Sequence, residues 1–240
     1  MSLFRRGKKS ADEPAGDAPT PSDEGSPSVP EGGSVVAGRE RGPWDVEEVA
    51  DRGRRVDLGA IWLPGREGME LRMEIEKSTK IVTAAAIALN GSGLQVQVFA
   101  APRSEGIWDD IRAEIAESVT KQGGSVDDLP GPFGRELLAR LPVRTSEGRT
   151  GHRPARFIGH DGRRWFLRGV LTGKAAVDPS AAAELEAVFA DVVVVRGSEP
   201  RAPRDLLPLQ VPGARPSDAV VAPSAVDPLL ARGPEITEVR

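Results

Sequence analysis

The chain has 240 residues with a formal net charge of −4, and 39% of its residues are hydrophobic. It holds no Cys, no Tyr and only 4% aromatic residues, which excludes disulfides, thiolate metal sites and cysteine nucleophiles and leaves apolar material for one modest core. No apolar run approaches the roughly 20 residues of a bilayer crossing, and the opening MSLFRRGKKS has the charge of a secretory signal without its apolar stretch, so the expectation is a soluble cytoplasmic protein with no membrane partner.

Residues 1–41 are rich in Pro, Gly, Ser and acid and show neither helical nor strand period. Such a segment buries too little apolar area to offset its ordering entropy, and a disordered tail is expected. Folding is expected to begin near Gly42-Pro43-Trp44. Val56, Leu58, Ala60 and Trp62 alternate up to Pro64-Gly65 and predict a first strand. Met69, Leu71, Met73 and Ile75 alternate with Glu70, Arg72, Glu74 and Glu76, the period of a strand with one buried and one wet face. Ile81 to Leu89 is continuously apolar and is expected deeper in the same sheet. Asn90-Gly91-Ser92-Gly93 turns the chain, and Leu94, Val96 and Val98 then alternate with Gln95 and Gln97.

A helix is predicted next, capped by Ser104, with Ile107, Ile111, Ile115 and Val119 on one stripe and Gly123-Gly124 as its end. The turn-rich Leu129-Pro130-Gly131-Pro132 precedes a strand over Glu136 to Val143. In Gly151 to Gly173, the pair Asp161-Gly162 predicts a two-residue hairpin turn that sets Ile158 against Trp165 and Phe157 against Phe166. Asp178-Pro179 opens a second helix as cap and first residue, and Val192 to Val195 closes the core. Leu206-Leu207-Pro208-Leu209 is apolar enough to pack back, and residues 213–240 are expected to be largely disordered. The fold class is therefore α+β. One domain spans residues 42–212, an antiparallel sheet flanked by at least two helices in an α/β/α sandwich-like arrangement.

Several motifs carry a resemblance: Gly42-Pro43-Trp44-Asp45, the run Phe99 to Ser104 leading to Trp108 and Arg112-Ala113-Glu114-Ile115, Gly131-Pro132-Phe133-Gly134, Arg164 to Gly169, and Asp191-Val192 through Arg196-Gly197. Together, over roughly residues 42 to 212, they resemble an actinobacterial family named as domain of unknown function 3710. The resemblance implies no activity, ligand or catalytic residue to carry over. Its members are often encoded near a dUTPase and a protein with an OB-fold. A weaker, fold-level likeness is to the photosystem II protein PsbP and the nuclear-transport factor Mog1, where a late hairpin with a Pro-Ala-Arg step also leads to a helix and a closing strand. That likeness implies an antiparallel sheet between helices and binding to other proteins.

The chemistry is sparse. His152 and His160 are eight apart with no carboxylate at ligand spacing, so no metal is expected. No Gly-x-Ser-x-Gly elbow is present, and Gly91-Ser92-Gly93 lacks the rest of a phosphate-cradling pattern. Asp109, Asp110, Glu114 and Glu117 belong to the polar face of a helix. Neither a cofactor nor catalytic residues are expected. Positive charge does concentrate in the hairpin. Between Arg140 and Lys174 nine basic residues (Arg140, Arg144, Arg149, Arg153, Arg156, Arg163, Arg164, Arg168, Lys174) face only Glu147 and Asp161. The candidate binding surface is Arg153, Arg156, Arg163, Arg164, Trp165 and Arg168, with Trp165 or Phe157 to stack on a base.

Three functions follow from this reading. The first is a non-catalytic protein-interaction module, with the apolar islands Pro228-Leu229-Leu230 and Ile236 to Val239 as docking motifs. The alternative is a nucleic-acid-binding protein that uses the hairpin, and the second alternative is an enzyme of unnamed reaction.

Overall fold

The computed structural model describes residues 41–104, 106–144 and 150–213. The tails expected at 1–41 and 213–240 lie outside them, except for Arg41 and Gly213. In chain order come β1 (Trp44–Asp45), β2 (Val56–Asp57), β3 (Ile61–Leu63), β4 (Glu70–Ile75), β5 (Val82–Leu89) and β6 (Ser92–Ala100). Helix α1 (Trp108–Lys121) follows, then β7 (Ser125–Gly131), β8 (Gly134–Arg144), β9 (Thr150–Asp161), β10 (Trp165–Gly173), α2 (Pro179–Ala190) and β11 (Val193–Val194).

The fold is α+β, with a large antiparallel sheet of seven strands in the order β4-β5-β6-β10-β9-β8-β7. A smaller sheet runs β1-β11-β3-β2, parallel only between β1 and β11. Along β6 and β10 alternate side chains join two different apolar clusters. Leu94, Val96, Val98, Leu167 and Leu171 pack with Leu185, Val188 and Phe189 of α2. Phe99, Phe166 and Val170 pack with Trp108, Ile111, Ile115 and Val119 of α1. The period of two in the strands thus divides the core, and each such side chain contributes about 1.5–3 kcal/mol when fully buried. The segment after β11 returns to the sheet, with Leu207 N–H donating to Val98 O and Leu209 N–H to Val82 O, both at 2.9 Å.

Local chemistry explains the β5–β6 turn and the start of α2. Asn90 and Gly91 form the two-residue β5–β6 turn with φ of 50° and 74°, the geometry that favours this pair. The Asp178 carboxylate accepts from Ser180 N–H at 2.9 Å while Pro179 occupies the first turn of α2, as expected.

Four expectations are corrected. The stretch Val56 to Trp62 is two short strands rather than one, because Gly59 (φ 79°) turns the chain between β2 and β3. Ser104 does not cap α1: the first turn takes its acceptor from Asp161, far along the chain. Leu129-Pro130-Gly131 is not a turn but the end of edge strand β7. The β9–β10 connection is also longer than two residues. It spans Gly162 to Arg164, with φ 69° at Arg164, and it pairs Phe166 with Asp161, Gly169 with Ile158 and Val170 with Phe157.

Candidate functional site

The hairpin β9–β10 lies in the middle of the large sheet, between β8 and β6. That placement sets the surroundings of its arginines, because both faces of a central strand are covered where α1 and α2 pack on the sheet. Arg156 of β9 is pinned between two carboxylates. Its guanidinium contacts Glu136 of β8 at 3.0 Å and Glu186 of α2 at 2.6 Å, and donates to Ala175 O at 3.3 Å. The Glu136 side chain is 1% exposed. Burial pushes its carboxyl pKa up, and the opposing pull of Arg156 does not overcome that. The neighbouring charge of Glu186 adds to the rise.

Arg168 of β10 is buried, with its guanidinium over the Phe99 ring at 5.4 Å from the centroid and bonded to the Gln97 side-chain oxygen. Trp165 is fully buried, its indole N–H donating to Asp45 Oδ2 at 2.7 Å. Its ring crosses Gly162 so closely that a side chain there would overlap it, and His160 tilts against it with ring centroids 5.8 Å apart. Phe157 is 9% exposed. The expected stacking surface is therefore corrected: both rings are core, held there by the alternation that the two-sided sheet imposes.

The remaining candidates face water. Arg153 is exposed. Arg163 is exposed at the turn and stands 3.5 Å from Glu47, a pair worth little in solvent. Arg164 is half-buried in the left-handed conformation, and its carbonyl accepts from Ala101 N–H at 3.0 Å and Arg196 Nε at 3.2 Å. The six candidates thus separate into Arg156, Trp165 and Arg168 inside the fold and Arg153, Arg163 and Arg164 at its surface. The acids of α1 serve other arginines: Asp109 pairs with Arg112 at 2.7 Å and Glu114 with Arg204 at 2.7 Å.

Two residues beside the hairpin escaped the sequence reading. Arg196, just past β11, donates Nε to the Arg164 carbonyl of the β9–β10 turn, and Arg201 pairs with Glu199 within electrostatic reach of Arg196. Arg196 has its pKa lowered first by burial and then by the charges of Arg164 and Arg201, with Glu199 as the opposing carboxylate. The only sequence signal for them was arginine density after the closing strand, in a chain where arginine is the common base.

Among the described residues no group of three or more His, Asp or Glu side chains is disposed to hold a metal ion, and no helix is long and apolar enough to cross a membrane.

A search of curated proteins finds no match. Among solved structures the chain is similar to the solution structure of cyanobacterial PsbP (CyanoP) from Synechocystis sp. PCC 6803, at 12% identity and a TM-score of 0.34, covering 57% of this chain and 87% of that one. Residues 42–217 match the family described as "Protein of unknown function (DUF3710)", and the chain belongs to that family.

Proposed function

We propose that this chain is a non-catalytic binding module for another protein, acting in the cytoplasm, with the β9–β10 hairpin as framework rather than grip. The observation that carries this reading is the commitment of Arg156, Arg168 and Trp165 to contacts within the fold. A phosphate-backbone grip needs several cations in one accessible row with rings beside them, and those three occupied its centre. The two core clusters fit a layered α/β/α arrangement, a helix against each face of the large sheet.

The docking surface in this reading is the outer edge of β4. That strand ends the seven-stranded sheet and pairs only with β5 among the described strands. An open edge offers main-chain donors and acceptors to an added strand, and Ile75 at its end is 50% exposed. The test is a full-length pull-down, nuclease-treated and repeated at low and high salt. A protein partner retained in both salts, kept by Arg153→Ala and Arg163→Ala and lost by Ile75→Lys, supports the reading. Nucleic acid that co-purifies and is lost with the arginine variants overturns it.

A further inference from the structure

Beside the β9–β10 turn, Arg196 lies within electrostatic reach of both Arg164 and Arg201, at one corner of the fold. Arg164 leads into β10, Arg196 follows β11, and Arg201 lies five residues further along the chain. Backbone contacts fix the corner: Arg196 Nε donates to Arg164 O at 3.2 Å and Arg196 Nη1 to Glu199 O at 2.9 Å. Arg201 reaches Glu199 at 3.3 Å, and its side chain is 18% exposed against 77% for that carboxylate. Burial lowers the pKa of Arg196 first, and the like charges of Arg164 and Arg201 lower it further.

The backbone at Arg164 adds a second cost. Its φ of 69° belongs to the left-handed region, which disfavours any side chain. Arg204 has φ of 72°, but there the side chain gains Glu114 at 2.7 Å and Asp110 at 3.8 Å. Arg164 has no carboxylate partner among the described residues. Backbone strain of this kind clusters at ligand-binding positions, where the surrounding structure imposes it. Three guanidinium groups against the Glu199 carboxylate leave two positive charges, the complement of a dianion. Guanidinium forks also match phosphate oxygens in geometry.

We propose that Arg164, Arg196 and Arg201 form a binding site for a single phosphate group, borne by inorganic phosphate or by a phosphorylated side chain of another protein. This does not depend on the docking edge at β4, and each can fail alone.

The test is a titration of the ¹⁵N-labelled full-length chain with sodium phosphate at constant ionic strength, with chloride as the balancing salt. The expected result is saturable shifts in the amides of residues 162–165 and 195–201. Arg164→Gly suits the left-handed backbone, so this variant is expected to melt at or above the wild-type temperature. It should nonetheless bind phosphate at least about tenfold more weakly through loss of charge-assisted bonds. Arg153→Ala should bind as wild type. A phosphoserine peptide that binds more tightly than phosphate through the same amides assigns the source to a phosphorylated protein; equal or weaker peptide binding assigns it to free phosphate. Shifts no larger than those with chloride alone, or undiminished binding by Arg164→Gly, overturn the proposal.

Discussion

The carboxylate of Asp161 accepts the backbone N–H of Ile107 at 2.8 Å through one oxygen and that of Trp108 at 3.2 Å through the other. The last residue of β9 thus caps the first turn of α1, where no side chain of the helix's own segment does so. The approach leaves no room at Gly106, where a Cβ would lie 2.5 Å from Asp161 Oδ2. Asp161→Ala should therefore destabilise the chain by about 0.5–2 kcal/mol, the usual cost of a lost cap. Ser104→Ala should change it by less than about 0.5 kcal/mol. Urea unfolding of the two variants separates them.

That cap shows why part of the fold was legible and part was not. The Asp178 cap of α2 and the Asn90-Gly91 turn involve residues one or two apart, so their chemistry is written consecutively. The α1 cap joins residues 54 apart, and Asp161 followed by Gly162 resembled a turn pair more than a cap. Strand β7 was hidden for another reason. Asp127, Asp128 and Pro130 are poor strand formers in general, but an edge strand tolerates charges and proline because one side makes no ladder. In the hairpin, alternation correctly put the arginines on both faces. Which of them met carboxylates depended on Glu136 and Glu186, 20 and 30 residues from Arg156.

Glu136 gives the fold a pH dependence. Its folded-state pKa is raised above 4.5, chiefly by burial, so the folded chain holds this proton more tightly than the unfolded chain does. The contribution of this group to stability is fully present below 4.5 and is lost as pH rises through the raised folded value. Glu136→Gln keeps the volume and leaves Arg156 its contact with Glu186 at 2.6 Å. This variant should unfold with a flatter pH profile than wild type as pH rises above about 4.5. An unchanged profile in urea titrations across that range would refute the assignment.

Trp165 links the two sheets through Asp45 of β1, with the indole N–H 2.7 Å from its carboxylate. Trp165→Ala should cost about 3–5 kcal/mol through the lost ring and its cavity. Trp165→Phe keeps much of the volume but removes the indole donor from Asp45 Oδ2, whose other oxygen still accepts from Glu47 N–H. It should still cost about 1–3 kcal/mol. If Trp165→Phe unfolds at the wild-type urea midpoint, the hydrogen bond contributes nothing to stability.

The division of the hairpin arginines into framework and surface is the central claim. It is tested most directly by urea unfolding of four full-length variants side by side: Arg153→Ala, Arg156→Ala, Arg163→Ala and Arg168→Ala. Arg156→Ala leaves the buried Glu136 and the half-buried Glu186 without the cation between them and should cost about 3–5 kcal/mol. Arg168→Ala removes a buried cation from Phe99 and Gln97 and should cost at least about 1.5 kcal/mol. Arg153→Ala and Arg163→Ala should stay within about 0.5 kcal/mol of wild type. Four midpoints indistinguishable from wild type would contradict the account, because the arginines would then be held by the fold without holding it.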